Sequence, residues 1–158
     1  MLADPFDESA SFEALARSGA RVLLIGRRAL VVLGLPVLTA DYDLWVHIDD
    51  IECLNRSLQD LDSIPNRAPD DARRTGRYVL ENSEHVDVLV ARSASTRDSD
   101  PVAFEDVWSR RNVISYDSTI QMAIPSIDDL ILTKRWSMRH KDVADIRMLE
   151  ELKRMGTG

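Results

Sequence analysis

The chain predicts a single mixed α/β domain of the α+β kind: a mixed β-sheet flanked by helices, followed by C-terminal helices. Three observations predict it. Short apolar runs of strand length alternate with amphipathic segments of helical period. The 158 residues suffice for one substantial core and are too few for two ordinary domains. The composition, 44% hydrophobic against 30% charged, is that of a soluble globular chain, and no apolar run reaches the roughly 20 residues of a membrane helix. One domain is therefore expected over residues 1–158, with the sheet-bearing core at about 20–125 and the helical part at about 126–155.

The start, "MLADPFDESA", lacks the basic-then-apolar order of a secretory leader. Cys53 is the single cysteine, which excludes an internal disulfide and a cysteine-rich zinc site. A reducing, cytoplasmic setting is the expectation, with Cys53 read as packing. A net charge of −7 gives no global attraction to nucleic acid, so a polyanion would need a local basic patch or bound cations.

Taken in order, "FEALARSG" (12–19) reads as a short amphipathic helix ended by glycine, and "RVLLIG" (21–26) as a strand buried on both faces. "RRALVVLG" (27–34) is a compact helix closed by Gly34. "LP" then breaks the path before the strand within "TADYDLWVHIDD" (39–50). Asp49 or Asp50 is expected to cap a helix over 51–61. Residues 65–77, "PNRAPDDARRTGR", show no periodicity and read as a surface loop, in which Arg67, Arg73, Arg74 and Arg77 form the densest basic cluster.

Strands over 77–81 and 85–91, joined by the turn "NSE", follow as a hairpin. "PVAFEDVWSRR" (101–111) is expected to be a helix with proline in its first turn. "NVISYDS" and "IQMAI" read as further strands. Ser126 and Asp129 form an acidic capping box that launches one long helix, or two with a break near Arg139–His140.

Within the 39–50 strand, alternation puts Asp41, Asp43, Trp45 and His47 on one face and Tyr42, Leu44, Val46 and Ile48 on the other. Carboxylates about 6–7 Å apart on one strand repel, and a divalent cation turns that repulsion into attraction. In "HVDVLV" the same alternation sets Asp87 apart from Val86, Val88 and Val90. If the two strands are neighbours, three aspartates converge, enough to hold one or two Mg²⁺ or Mn²⁺ ions with positions open for phosphate oxygens. His85 shares the Asp87 face and reads mainly as a strand-edge polar group; His140 reads as surface. Trp45 could stack a base, but packing under a helix is the commoner fate of such a residue, and Trp108 and Trp136 are assigned to helix packing.

In order and spacing, "LLIGRRALVVLG", "LPVLTADYDLWV", "HVDVLV" and "IPSIDDLILTKRWSMRHKDVADIRML" resemble the nucleotidyltransferase superfamily, especially the small bacterial branch with AbiEii-type toxins. The resemblance spans roughly residues 20–150. It implies that Asp41, Asp43 and Asp87 are catalytic metal ligands, with Asp87 also activating the acceptor. Gly26, Arg27, Thr39 and Lys134 would bind an NTP donor. By three-to-four residue spacing Lys134, Met138, Lys141 and Asp145 fall along one side of the long helix. The implied partners are an acceptor left open among RNA, protein and small molecule, and a cognate antitoxin protein. The acceptor is expected near the 65–77 segment, through Arg73 and Arg74.

Two positions depart from the family pattern. Arg27 and Arg28 follow Gly26 where a second small residue is usual, and Val37 stands where the branch carries an arginine. Arg27 could instead bind phosphate bidentately. These departures support a second reading, a binding module without transferase activity that acts through a partner. A third, an Asp-x-Asp glycosyltransferase, is disfavoured by the short chain and the lysine-bearing C-terminal helices.

Overall fold

A computed structural model describes residues 6–94, 101–134 and 140–156. In chain order the elements are α1 (Glu8–Arg17), β1 (Val22–Ile25), α2 (Gly26–Val32), β2 (Tyr42–Val46), a 3-10 turn (Ile48–Asp50), α3 (Ile51–Gln59), β3 (Ile64–Pro65), α4 (Pro69–Thr75) and β4 (Arg77–Glu81). They continue as β5 (His85–Leu89), β6 (Ser93–Ala94), β7 (Val102–Ala103), α5 (Phe104–Ser109), β8 (Asn112–Ser115), β9 (Gln121–Ile124), α6 (Ile127–Lys134) and α7 (His140–Gly156). None of the described helices is long and apolar enough to cross a membrane.

The central sheet has the order β1-β2-β5-β4-β3. β2 and β5 run parallel, while the other neighbours are antiparallel, which makes the sheet mixed as the sequence predicts. Its two faces are unequal. Tyr42, Leu44, Val46, Tyr78, Leu80, Val86 and Val88 project into the main core against Phe12 and Leu15 of α1 and Ile51, Leu54 and Leu58 of α3. On the opposite face Leu23, Ile25 and Trp45 meet Phe104 and Val107 of α5 in a smaller cluster. All of β1 is buried, as a strand covered on both faces requires.

Several local expectations need correction. Residues 65–77 contain α4 rather than a structureless loop. Pro69 opens it, Asp70 and Asp71 occupy its first turn, Arg73 and Arg74 its last, and Gly76 closes it with φ +85°. These are end signals for a helix too short to show a period, with Ala72 as its buried residue. α1 begins earlier than expected, because Asp7 accepts a hydrogen bond from the Ala10 N–H (3.0 Å). Neither Asp49 nor Asp50 caps α3 through its side chain, since a 3-10 turn precedes the helix. Pro101 lies outside α5, because Val102–Ala103 pairs with Ser93–Ala94 instead of joining the helix.

Other expectations hold. The "NSE" hairpin is closed by Asn82, whose Oδ1 accepts from the Glu84 N–H (2.9 Å). β8 and β9 form an antiparallel pair. Ser126 Oγ accepts from the Asp129 N–H (3.1 Å) at the start of α6 and donates to the Asp129 carboxylate (2.9 Å). The C-terminal part is two helices, with residues 135–139, including Trp136 and Met138, outside the described residues. Asp128 near the start of α6 meets Lys153 near the end of α7, and Lys134 at the end of α6 meets Asp142 and Asp145 near the start of α7. The helices are therefore antiparallel.

Asp50 serves β1 instead of a helix. It accepts from the Arg21 backbone N–H (2.7 Å) and from the guanidinium through Nε (2.8 Å) and Nη2 (3.1 Å). These hydrogen bonds hold its carboxyl below the usual carboxylate range. A depressed carboxyl stabilises the fold above its unfolded pKa of about 4 and loses that contribution as pH falls through the folded value. Asp50→Asn should lower the unfolding temperature at pH 7, with the difference from wild type shrinking towards about pH 3 in thermal melts.

Candidate active site

The parallel register of β2 and β5 pairs Asp43 with Asp87. Neighbouring strands lie about 4.8 Å apart, and opposed residues share a face, so the two carboxylates stand side by side. Asp43 is half-buried and Asp87 exposed. Both line a cavity of about 550 Å³ together with Gly26, Arg77, Lys134 and Asp142. The sheet forms its floor, the start of α2 and the α6–α7 hairpin one wall, and the segment around Asn66 and Arg67 the other.

Gly26 fixes how closely that floor meets α2. Its φ is +70°, and a Cβ built on it would lie 2.7 Å from Asp43 Oδ2. Any other residue would suffer both an unfavourable backbone and a collision with the carboxylate. The glycine therefore lets the Asp43 side chain lie over the first residue of the helix.

Lys134 is buried, with Nζ 2.8 Å from Asp145 Oδ2 and 3.7 Å from Asp142 Oδ1. Arg27 approaches the same Asp145 carboxylate through Nε (3.1 Å) and Nη2 (3.2 Å), and donates through Nη1 to the Leu38 carbonyl (2.8 Å). Asp145 is fully buried. One carboxylate thus joins α2, α6 and α7. Arg27, expected at phosphate, forms its bidentate pair with this protein carboxylate. Lys134 and Asp145 meet across two antiparallel helices and not along one, which corrects the single-helix alignment. The spacing of Asp142 and Asp145 in "KDVAD" does not specify their cations; the fold sets both beside Lys134, and Asp145 beside Arg27 as well.

The other expected residues are dispersed. Asp41 is exposed just before β2 and is not among the cavity-lining residues. Thr39 Oγ1 accepts from its N–H (3.0 Å), so Thr39 shapes the approach to the strand. Arg28 donates to the Thr39 carbonyl (3.0 Å), pairs with Glu8 (3.3 Å) and lies over the Tyr42 ring. Val37, in the place of the branch's arginine, packs against the main core. The side chains of His140 and Lys141 lie outside the described residues.

His85 is exposed and lies 3.4 Å from Glu81, in keeping with a strand-edge role. His47 Nδ1 accepts from the Asp49 N–H (3.0 Å), so Nε2 carries the proton shared with Glu105 (2.5 Å). Trp45 is fully buried, donates Nε1–H to the Ala91 carbonyl (2.8 Å) and meets Phe104 edge to face. It is a packing residue. Trp108 stacks on Phe104. Cys53 is half-buried and donates to the Ser18 carbonyl.

Within the basic cluster, Arg73 is committed to Glu52, Asp70 and the Ile48 carbonyl, and Arg74 to Asp71. The arginines that line the cavity are Arg67 and Arg77. Arg73 and Arg74, expected at the acceptor, lie outside the cavity lining and are paired with carboxylates of α3 and α4.

Among the described residues no group of three or more His, Cys, Asp or Glu side chains is gathered to hold a metal ion. The Asp43–Asp87 pair nevertheless suits Mg²⁺, which commonly takes one or two carboxylates and fills its remaining positions with water and substrate phosphate.

No protein-family profile matches the sequence, and no curated protein does. The fold is similar to that of a "putative nucleotidyltransferase" from Thermotoga maritima, whose crystal structure superposes with a TM-score of 0.56 at 10% identity, covering 93% of this chain and 88% of that one. At that identity the likeness concerns the fold: a mixed sheet flanked by helices, as in a nucleotidyltransferase.

Two outcomes follow from this geometry. Gly26→Ala should destabilise more than Gly19→Ala, because Gly19 has a similar φ of +77° but open space around a Cβ. The excess should fall when Asp43→Ala is combined with Gly26→Ala, as read in a denaturant double-mutant cycle. Asp145→Ala strands two cations and should cost about 3–5 kcal/mol by the same measurement.

Proposed function

We propose that the chain is a metal-dependent nucleotidyltransferase that moves an NMP unit from an NTP to an acceptor hydroxyl or phosphate. The observation that carries this reading is the Asp43–Asp87 pair, in register on adjacent strands and facing a nucleotide-sized cavity with Gly26 and Lys134 on its wall. The fold likeness is compatible with it.

In this reading Asp43 and Asp87 would hold Mg²⁺ or Mn²⁺, while Asp41, the third carboxylate of the sequence pattern, stands just before β2 and outside the cavity lining. The bound cation would neutralise charge on the transferred phosphate and the leaving group. Asp87, the more exposed of the cavity pair, takes the proton from the acceptor oxygen as that oxygen bonds to the α-phosphorus. The bond from the α-phosphorus to the bridging oxygen breaks, and pyrophosphate leaves. Lys134, held between Asp142 and Asp145, would present its ammonium from the wall, while Gly26, lacking a Cβ, lets the Asp43 carboxylate lie over the helix start. Thr39 orders the segment before Asp43. Action as a toxin controlled by an antitoxin protein rests on the sequence resemblance.

A second reading, a binding module without transfer, is favoured by the position of Asp41 outside the cavity and by the commitment of Arg27 to Asp145. Thermal unfolding with each NTP, with and without Mg²⁺ or Mn²⁺, separates the two. A ligand at a hundred times its Kd stabilises the folded state by about 2.7 kcal/mol. A metal-dependent rise in unfolding temperature, lost in Asp43→Ala and Asp87→Ala, is the expected outcome. No rise at saturating NTP would favour the binding module, and a rise with sugar nucleotides alone would revive the glycosyltransferase.

A further inference from the structure

Across the sheet, the candidate site has two differently built sides. Ile25, just before Gly26, pairs with Asp43; Asp43 pairs with Asp87; Asp87 pairs with Val79 of β4. Arg77 is two residues from Val79, so it rises from the same face, opposite Leu89. The carboxylate pair is thus flanked by Gly26 and Lys134 on one side and by Arg77 on the other, each strand adding about 4.8 Å.

The two sides also differ in how their cations are engaged. Lys134 and Arg27 are held by Asp145. Arg77 is exposed, lines the cavity and makes no ion pair or side-chain hydrogen bond among the described residues. Beside it, Arg67 also lines the cavity and donates Nη1 to Thr75 Oγ1 (2.8 Å) and to the Arg77 carbonyl (3.0 Å). Its guanidinium is anchored through Nη1 alone, by a hydroxyl and a carbonyl and not by a carboxylate. Asn66 fixes this wall to β4: its N–H donates to the Val79 carbonyl (2.9 Å), and its Oδ1 accepts from the Val79 N–H (2.8 Å). Two guanidiniums without a protein anion therefore border a cavity whose floor carries two carboxylates.

Resting on the nucleotidyltransferase reading, we propose that Arg77 and Arg67 form the acceptor subsite, and that the acceptor carries a phosphate group. A guanidinium fork matches a phosphate bidentately, and the charge-assisted bonds it makes there are roughly twice as strong as those to a neutral hydroxyl. With the donor on the Gly26 and Lys134 side, an acceptor phosphate on the Arg77 side brings its reacting oxygen over Asp87. The shared chemistry is a phosphate monoester or diester near the attacking oxygen, from either a small phosphorylated sugar or an RNA end.

The test uses the full chain and two probes, ribose 5-phosphate and mixed tRNA, with binding of each measured at fixed ionic strength beside the NTP-dependent thermal shift. Arg77→Ala should weaken at least one probe about tenfold or more, and Arg67→Ala should weaken the same probe. The NTP shift should persist in both variants. Arg74→Ala, which removes the same charge from a site outside the cavity, should change neither. Preference for tRNA over the sugar phosphate identifies RNA as the source of the phosphate, and the reverse identifies a small molecule.

Loss of the NTP shift in Arg77→Ala would place this arginine at the donor and overturn the assignment. Equal weakening by Arg74→Ala would reduce it to general electrostatics and overturn it as well. So would failure of wild type to bind either probe at millimolar concentration. Absence of an NTP shift in wild type, with Arg77-dependent probe binding intact, would instead remove the transferase reading while leaving a phosphate-binding subsite.

Discussion

The buried carboxylate of Asp145 constrains the rest of the candidate site. An isolated charge in the interior costs several kcal/mol, so Asp145 is tolerable only with its cations in place. Arg27 supplies two nitrogens from α2, and Lys134 supplies one from α6. Three helices must therefore take up one mutual arrangement before the charge is satisfied. That arrangement turns α7 back along α6, brings Asp142 to the cavity and sets Lys134 on its wall. The energetic return of such a cluster is modest compared with apolar packing. Its geometric demand is strict.

A second set of polar contacts holds the path from α2 to β2. Arg27 and Arg28 point to different partners but both bind backbone carbonyls of this connection, at Leu38 and Thr39. Arg28 also reaches Glu8, which accepts from the hydroxyls of Tyr42 (2.9 Å) and Tyr116 (2.6 Å). Burial and the Glu8 bond push the Tyr42 hydroxyl up to about 12, so it remains a donor at neutral pH. The connection carries the exposed Leu38 without any regular structure of its own, and its course is set by these carbonyls. Arg27 and Arg28 thus have a structural use.

Strand content and face assignment were legible because they follow from alternation. Tyr42, Leu44 and Val46 against Asp43 and Trp45 needed only the two-residue period. The adjacency of Asp43 and Asp87 was conditional on strand order, which no local pattern contains, and the parallel register supplied it. α4 escaped because a seven-residue helix buries little and reveals itself only through its ends. Arg27 was ambiguous in principle: phosphate and carboxylate offer a guanidinium the same fork, and only the tertiary fold places Asp145 opposite it. Cations and anions that pair between helices leave no periodic trace, so the cluster around Asp145 could not be read from spacing.

The parallel pairing of β2 with β5 has a consequence for assembly in time. Parallel neighbours cannot be joined by a tight turn, and here the crossover includes α3, β3, α4 and β4 before β5 can enter the sheet. Closing so long a loop is entropically expensive and rewards the chain only once the intervening elements are ordered. The Asp43–Asp87 pair is consequently a non-local contact that belongs to the finished molecule. A nascent chain still short of β5 carries one of these carboxylates without the other, so the pair is incomplete until synthesis and folding have passed that strand.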